Sequence, residues 1–163
     1  MTHAELVSLA ARFCRGYCKC RVVATELRTF FAQEEPDVIG WACATGTSVV
    51  IECKTSRSDF RADAKKPHRI HRSMAMGNLV WYATPGRLLD PAEIPGGYGL
   101  VELGGDRARV VVKPTRNCEP NMIAERSALA SIVRRITESD GLAPLASWCL
   151  PTIGEDAVEE VTP

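Results

Sequence analysis

Leu6, Leu9, Ala10 and Phe13 recur at helical spacing along residues 3 to 15, which predicts an amphipathic helix ending near Gly16. The period then changes. Residues 21 to 31 are rich in Val, Thr, Leu and Phe and predict a first strand, with Glu26 at a position where an ordinary buried strand favours an apolar residue. Two further β-prone runs, 37 to 43 and 48 to 54, flank Ala44-Thr45-Gly46-Thr47, a short glycine-containing connection that suits a hairpin. Ser56-x-x-Asp59 has the form of a capping box and opens a helix over 58 to 66, which Pro67 interrupts. Residues 79 to 83 predict a fourth strand, closed by Pro85-Gly86. Residues 98 to 103 and 108 to 113 predict a hairpin turning at Gly104-Gly105-Asp106. From Pro120 to Ser139 the spacing of Leu129, Ile132, Val133 and Ile136 is helical, with Gly141 as a stop, and this helix is expected to cover the sheet.

The predicted order is αβββαβ followed by a hairpin and a helix, an α/β arrangement with a central mixed sheet flanked by helices. At 163 residues and 45% apolar content one domain is expected, over residues 1 to 140. Residues 141 to 163 contain Pro144, Pro151, Gly154 and Pro163 among clustered acids and read as an acidic tail, loose over its last ten or so positions. The longest apolar runs are a few residues, where a bilayer span needs roughly twenty, and no basic stretch followed by a hydrophobic core opens the chain. A cytoplasmic protein is expected. Seven scattered cysteines, at 14, 18, 20, 43, 53, 118 and 149, suggest reduced thiols. A zinc site at Cys14, Cys18 and Cys20 is the alternative, and it lacks the second pair that structural zinc sites use.

Lys plus Arg equals Asp plus Glu, 20 against 20, so no global cationic field exists. The distribution is uneven. Residues 54 to 72 carry seven Lys and Arg against Asp59 and Asp63, while only acids follow Arg135. Such a basic run is either a solvated helix face or a local patch that meets phosphates.

Strand residues two apart share a face about 6.5 Å apart, so Glu52 and Lys54 sit side by side while Val49, Ile51 and Cys53 face the core. A carboxylate and an ammonium there cost desolvation unless they have a partner or a task. Asp37, at the start of the neighbouring strand, comes within reach of Glu52 if the register allows. Converging carboxylates repel unless a proton or a hard cation intervenes, and oxygen ligands suit Mg²⁺ or Mn²⁺. Near such an ion Lys54 would have its pKa lowered and could orient or deprotonate a water, and Glu26 could bind a second metal or position the water. Phosphodiester hydrolysis needs this set, because its transition state gathers negative charge there. The competing reading is an ion pair on the sheet surface.

Glu26, Pro36-Asp37-Val38-Ile39-Gly40-Trp41 and Val50-Ile51-Glu52-Cys53-Lys54 together resemble the PD-(D/E)XK nuclease superfamily. Glu52 to Phe60, Pro85-Gly86 and Ile94 to Leu100 resemble more narrowly the MmcB-related DNA repair nucleases of bacteria and phages. The resemblance spans residues 20 to 103. It implies a restriction-endonuclease-like core, Asp37 and Glu52 as metal ligands, Cys53 as a ligand through its carbonyl, Lys54 as catalytic lysine and Glu26 as the upstream acid. It also implies a Mg²⁺- or Mn²⁺-dependent deoxyribonuclease acting on DNA, with a homodimer or a repair or phage protein as open further partners. A non-catalytic nucleic-acid-binding module of the same fold is the alternative.

Ser56, Arg57 and Ser58 line the start of the predicted 58–66 helix and are expected to seat a phosphate, with Arg61, Lys65, Lys66, Arg69 and Arg72 extending the contact. His68 and His71 read as solvated, Trp41 and Trp81 as core, and Asp59 and Asp63 as structural salt-bridge partners. Gly96, Gly97 and Gly99 read as a turn into the fifth strand.

Overall fold

The computed structural model describes residues 1–28, 34–140 and 158–160. Helix α1 (His3–Gly16) is the predicted amphipathic helix. Its start is closed by a reciprocal cap in which the Glu5 amide donates to the Thr2 hydroxyl (3.3 Å) and the Thr2 amide to the Glu5 carboxylate (2.7 Å). Its buried side, Leu6, Val7, Ala10, Phe13 and Cys14, lies on one face of the sheet.

Among the described residues seven strands stand in sequence order: β1 (Val22–Thr25), β2 (Val38–Ala42), β3 (Thr47–Cys53), β4 (Leu79–Thr84), β5 (Gly99–Gly104), β6 (Arg107–Val112) and β7 (Val158–Glu160). Neighbours run antiparallel from β1 to β3 and between β5 and β6, and parallel at β3–β4, β4–β5 and β6–β7. The crossover from β3 to β4 carries α2 (Arg57–Asp63) and α3 (Pro67–Ile70), and α4 (Met122–Asp140) follows β6. The chain is thus an α/β protein, with a mixed sheet between α1 on one face and the later helices on the other. Ile39, Val50, Tyr82 and Leu100 form the second core with Phe60, Ala124 and Ala128, so α4 does cover the sheet. Tyr98 ends a turn whose amide donates to the Pro95 carbonyl, and β5 starts at the next residue.

Three expectations need correction. The first strand stops at Thr25, and Glu26 lies beyond it in the left-handed region (φ 48°), exposed rather than within a strand. Helix α2 ends at Asp63, before Pro67, and α3 restarts with that proline in its first turn, where the missing amide costs nothing. Val158–Glu160 is a strand on β6 rather than loose tail, while residues 141–157 and 161–163 lie outside the described residues. The six described cysteines carry free thiols. Among the described residues no helix is long and apolar enough to cross a membrane.

Gly40 shows how closely α1 and the loop after it press on β2. A Cβ there would stand 2.6 Å from the Cys14 sulfur and 2.9 Å from Cys20 Cβ, both in buried residues. Gly40→Ala is expected to destabilise the fold by about 1–3 kcal/mol, the usual cost of overpacking, read as a lower urea midpoint with unchanged slope.

Candidate active site

Alternation in β3 decides the site. Val49, Ile51 and Cys53 join the core under α1, which turns Glu52 to the opposite face. Lys54 follows at the strand end, its amide donating to the Ala83 carbonyl of β4 (2.8 Å). Lys54 Nζ lies 3.3 Å from Glu52 Oε2, and both residues are buried. The register pairs Val38 with Ile51, so one step further sets Asp37 opposite Glu52. Asp37 Oδ2 accepts a hydrogen bond from the Cys53 amide (2.7 Å), and Oδ1 is 3.3 Å from His3 Nε2 of α1. Burial and then the charge of Glu52 push the Asp37 carboxyl above its ordinary value, so the two acids sense each other. Glu26 and Asp37 line one open polar cavity of about 380 Å³ with Arg28, Glu35 and Pro36, and the Glu26 amide donates to the Asp37 carbonyl.

The structure therefore brings Asp37, Glu52, Cys53 and Lys54 together at one strand end, with Glu26 beside Asp37. Among the described residues no three His, Cys, Asp or Glu side chains stand in a ready arrangement around a metal ion. Glu52 is engaged by cations instead. Its Oε1 is 2.8 Å from Arg69 Nη2 of α3, a contact without hydrogen-bond alignment that leaves this buried oxygen with no hydrogen bond. The donors are of the kind a hard divalent ion takes, two carboxylates that repel each other, one of them ion-paired with Arg69.

Lys54 is held by the acids around it. Burial alone would lower its pKa, but Glu52, Asp63, Asp59 and Asp37 outweigh it and hold the ammonium above the ordinary lysine value. Those acids make it a firmly charged cation.

The basic run divides in two. Arg61 and Lys65 are exposed, as are Arg57 and Lys66, although Arg57 grips both Glu93 oxygens at 2.8 Å and Lys66 pairs with Asp63 at 2.8 Å. The Ser56 hydroxyl accepts the Asp59 amide as the predicted cap and also bonds Ser58. Arg69 is the main correction: its guanidinium is buried and binds Glu34 (2.6 Å), Glu52 (2.8 Å) and Asp63 (2.9 Å), so no phosphate reaches it. Arg72 is also engaged, donating to the Thr115 carbonyl and lying over the Tyr98 ring. Asp63 is the structural ion-pair partner expected. Trp81 is core and Trp41 packs against the second core, as read from their strands. Glu34 and His3 were not legible as site residues, because nothing local marks them.

His68 is buried, not solvated. Burial first, then the Arg69 charge, holds its imidazole down to about 4. A folded value below the ordinary 6.5 favours the neutral form, so this contribution is complete above 6.5 and is lost as pH falls through about 4. Between pH 7 and 4 the unfolding free energy should drop by up to roughly 3 kcal/mol more in the protein than in His68→Gln, measured by urea titration at each pH.

No protein-family model and no curated protein matches the chain. Among solved structures, the SPO1766 protein of unknown function from Silicibacter pomeroyi is similar, with a TM-score of 0.61 and 21% identity over 90% of this chain and 99% of that one. The likeness is one of fold.

Proposed function

We propose that this protein is a metal-dependent nuclease that hydrolyses DNA phosphodiester bonds, of the PD-(D/E)XK type that its sequence resembles. The observation that carries the reading is the meeting of Asp37, Glu52 and Lys54 where β2 starts and β3 ends, beside a polar cavity that also takes in Glu26. Asp37, Glu52 and the Cys53 carbonyl would hold Mg²⁺ or Mn²⁺, with Glu26 in reach of the same cavity. The ion would supply Lewis-acid charge stabilisation and a more acidic bound water. Lys54 adds a fixed positive charge where the pentacovalent phosphorane turns anionic. Exposed Arg61 and Lys65, with Ser56, Arg57 and Ser58 nearby in sequence, are suited to backbone phosphates, a sequence-tolerant and salt-sensitive contact.

A non-catalytic nucleic-acid-binding module is the second reading, and the pairing of Glu52 with Arg69 and Lys54 favours it, since those cations already balance the would-be ligand. Plasmid, linear duplex, single-stranded and branched DNA incubated with Mn²⁺ separate the two: cleavage products support the nuclease, and retarded but intact DNA supports the module. Calorimetry should show divalent-ion binding weakened at least tenfold in Asp37→Asn and in Glu52→Gln, and unchanged binding in both would remove the metal site.

A further inference from the structure

Four carboxylates, Glu34, Asp37, Glu52 and Asp63, converge with two buried cations, Lys54 and Arg69, on the face of β3 away from α1 and at its end. Counted as ionised, the four acids outnumber the two buried cations by two, with His3 beside Asp37 and His68 near Glu34. Asp59 and Lys66, about half exposed, offset each other.

Arg69 is engaged by an acid at each of its three nitrogens. Nε donates to Asp63 Oδ2 (2.9 Å) and Nη1 to Glu34 Oε1 (2.6 Å), both aligned hydrogen bonds, and Glu34 is itself fixed by the Met76 amide (2.7 Å). Nη2 stands 2.8 Å from Glu52 Oε1, an ion pair without hydrogen-bond alignment. Glu34, Glu52 and Asp63 come from three separate segments and are at most 3% exposed. They face one another across a single guanidinium. Each is an ion-pair partner of that guanidinium, Glu34 at 2.6 Å, Glu52 at 2.8 Å and Asp63 at 2.9 Å.

We propose that Arg69 is a built-in cation occupying a three-carboxylate cage formed by Glu34, Glu52 and Asp63, so that the site takes one divalent ion and not two. The inference rests on the metal-dependent reading for the first ion, at Asp37 and Glu52, but the cage stands without it. Arg69 acts as a positioning residue: it fixes Glu52 from behind and supplies the charge that a second metal would otherwise bring.

The test counts Mn²⁺ bound to the full chain by calorimetry and by electron paramagnetic resonance, in the native protein, Arg69→Ala and Arg69→Lys, with melting followed in EDTA and in Mn²⁺. One ion is expected in the native protein and in Arg69→Lys, and one more in Arg69→Ala. Arg69→Ala should also melt lower in EDTA and regain more of its melting temperature on adding Mn²⁺ than the native protein gains. Two ions in the native protein or in Arg69→Lys would overturn the inference. So would an Arg69→Ala protein that binds no extra ion, or that stays unfolded in Mn²⁺. No ion in the native protein but one in Arg69→Ala would keep the cage and remove the nuclease's metal site, and no ion in either would remove both.

Discussion

Lys54→Met should lower Mn²⁺-dependent DNA cleavage by about 10²–10³-fold, the usual cost of removing one preorganised charge from a transition state, while leaving metal stoichiometry unchanged. Methionine keeps most of the stem that packs into the buried end of β3 and removes only the charge. That charge is firmly held: Nζ stands 3.3 Å from Glu52, 3.4 Å from Asp63 and 4.0 Å from Asp59, and these acids keep it protonated despite burial. A lysine so placed works as a fixed positive pole. Lys54→Arg should accordingly retain more activity than Lys54→Met, although a planar guanidinium does not fit the place of a compact ammonium. Gel-based initial rates at saturating Mn²⁺ check this. Cleavage by Lys54→Met at the native rate would leave the lysine as a structural ion-pair partner and take the chemistry away from this strand end.

How much of this could be read from the chain depends on the distance over which each cause acts. The end of α1 at Gly16, the hairpin at Gly46, the Ser56 cap and the turn before Gly99 are short-range, and they stand where the pattern placed them. Glu52 and Lys54 were legible because a strand period of two needs only the strand itself. Asp37 needed one further step, the hairpin register. Arg69 and His68 were misread for the opposite reason: their sequence context is a basic, polar loop, and only the fold of α3 under β3 carries them into the interior. Glu34 shows the same limit, since its partners Arg69 and Met76 come from the crossover between β3 and β4. Charge counting over residues 54 to 72 found the cations but not which way they point. Five of its seven cations are spent inward or on neighbouring acids and carbonyls, all but Arg61 and Lys65.

The carboxylate that organises those inward cations is Asp63, and Asp63→Asn is expected to cost about 3–5 kcal/mol of unfolding free energy at pH 7, as removal of one partner from a buried ionic cluster does. Asp63 Oδ2 accepts from Arg69 Nε (2.9 Å) and from the Tyr82 hydroxyl (3.1 Å), and Oδ1 faces Lys66 (2.8 Å) and Lys54 (3.4 Å). Asparagine keeps the shape and one acceptor but leaves the cations short of a negative charge in a dry interior, where an uncompensated charge is costly. The pH dependence has a definite sign. Burial would raise this carboxyl, yet Arg69, Lys66 and Lys54 hold it well below the ordinary 3.8. A depressed folded value means the contribution is complete above 3.8 and is lost as pH falls toward the folded value. Urea unfolding of the two proteins should therefore show a gap that is widest at neutral pH and narrows below pH 3.8, as the native carboxylate takes up the proton that asparagine never needs. A gap under about 1 kcal/mol at pH 7 would place Asp63 among weak surface-like pairs. A wide gap would show that the cluster's stability runs through the same residue that holds Lys54 and Arg69 around Glu52, so that folding and the chemistry of the site depend on one buried acid.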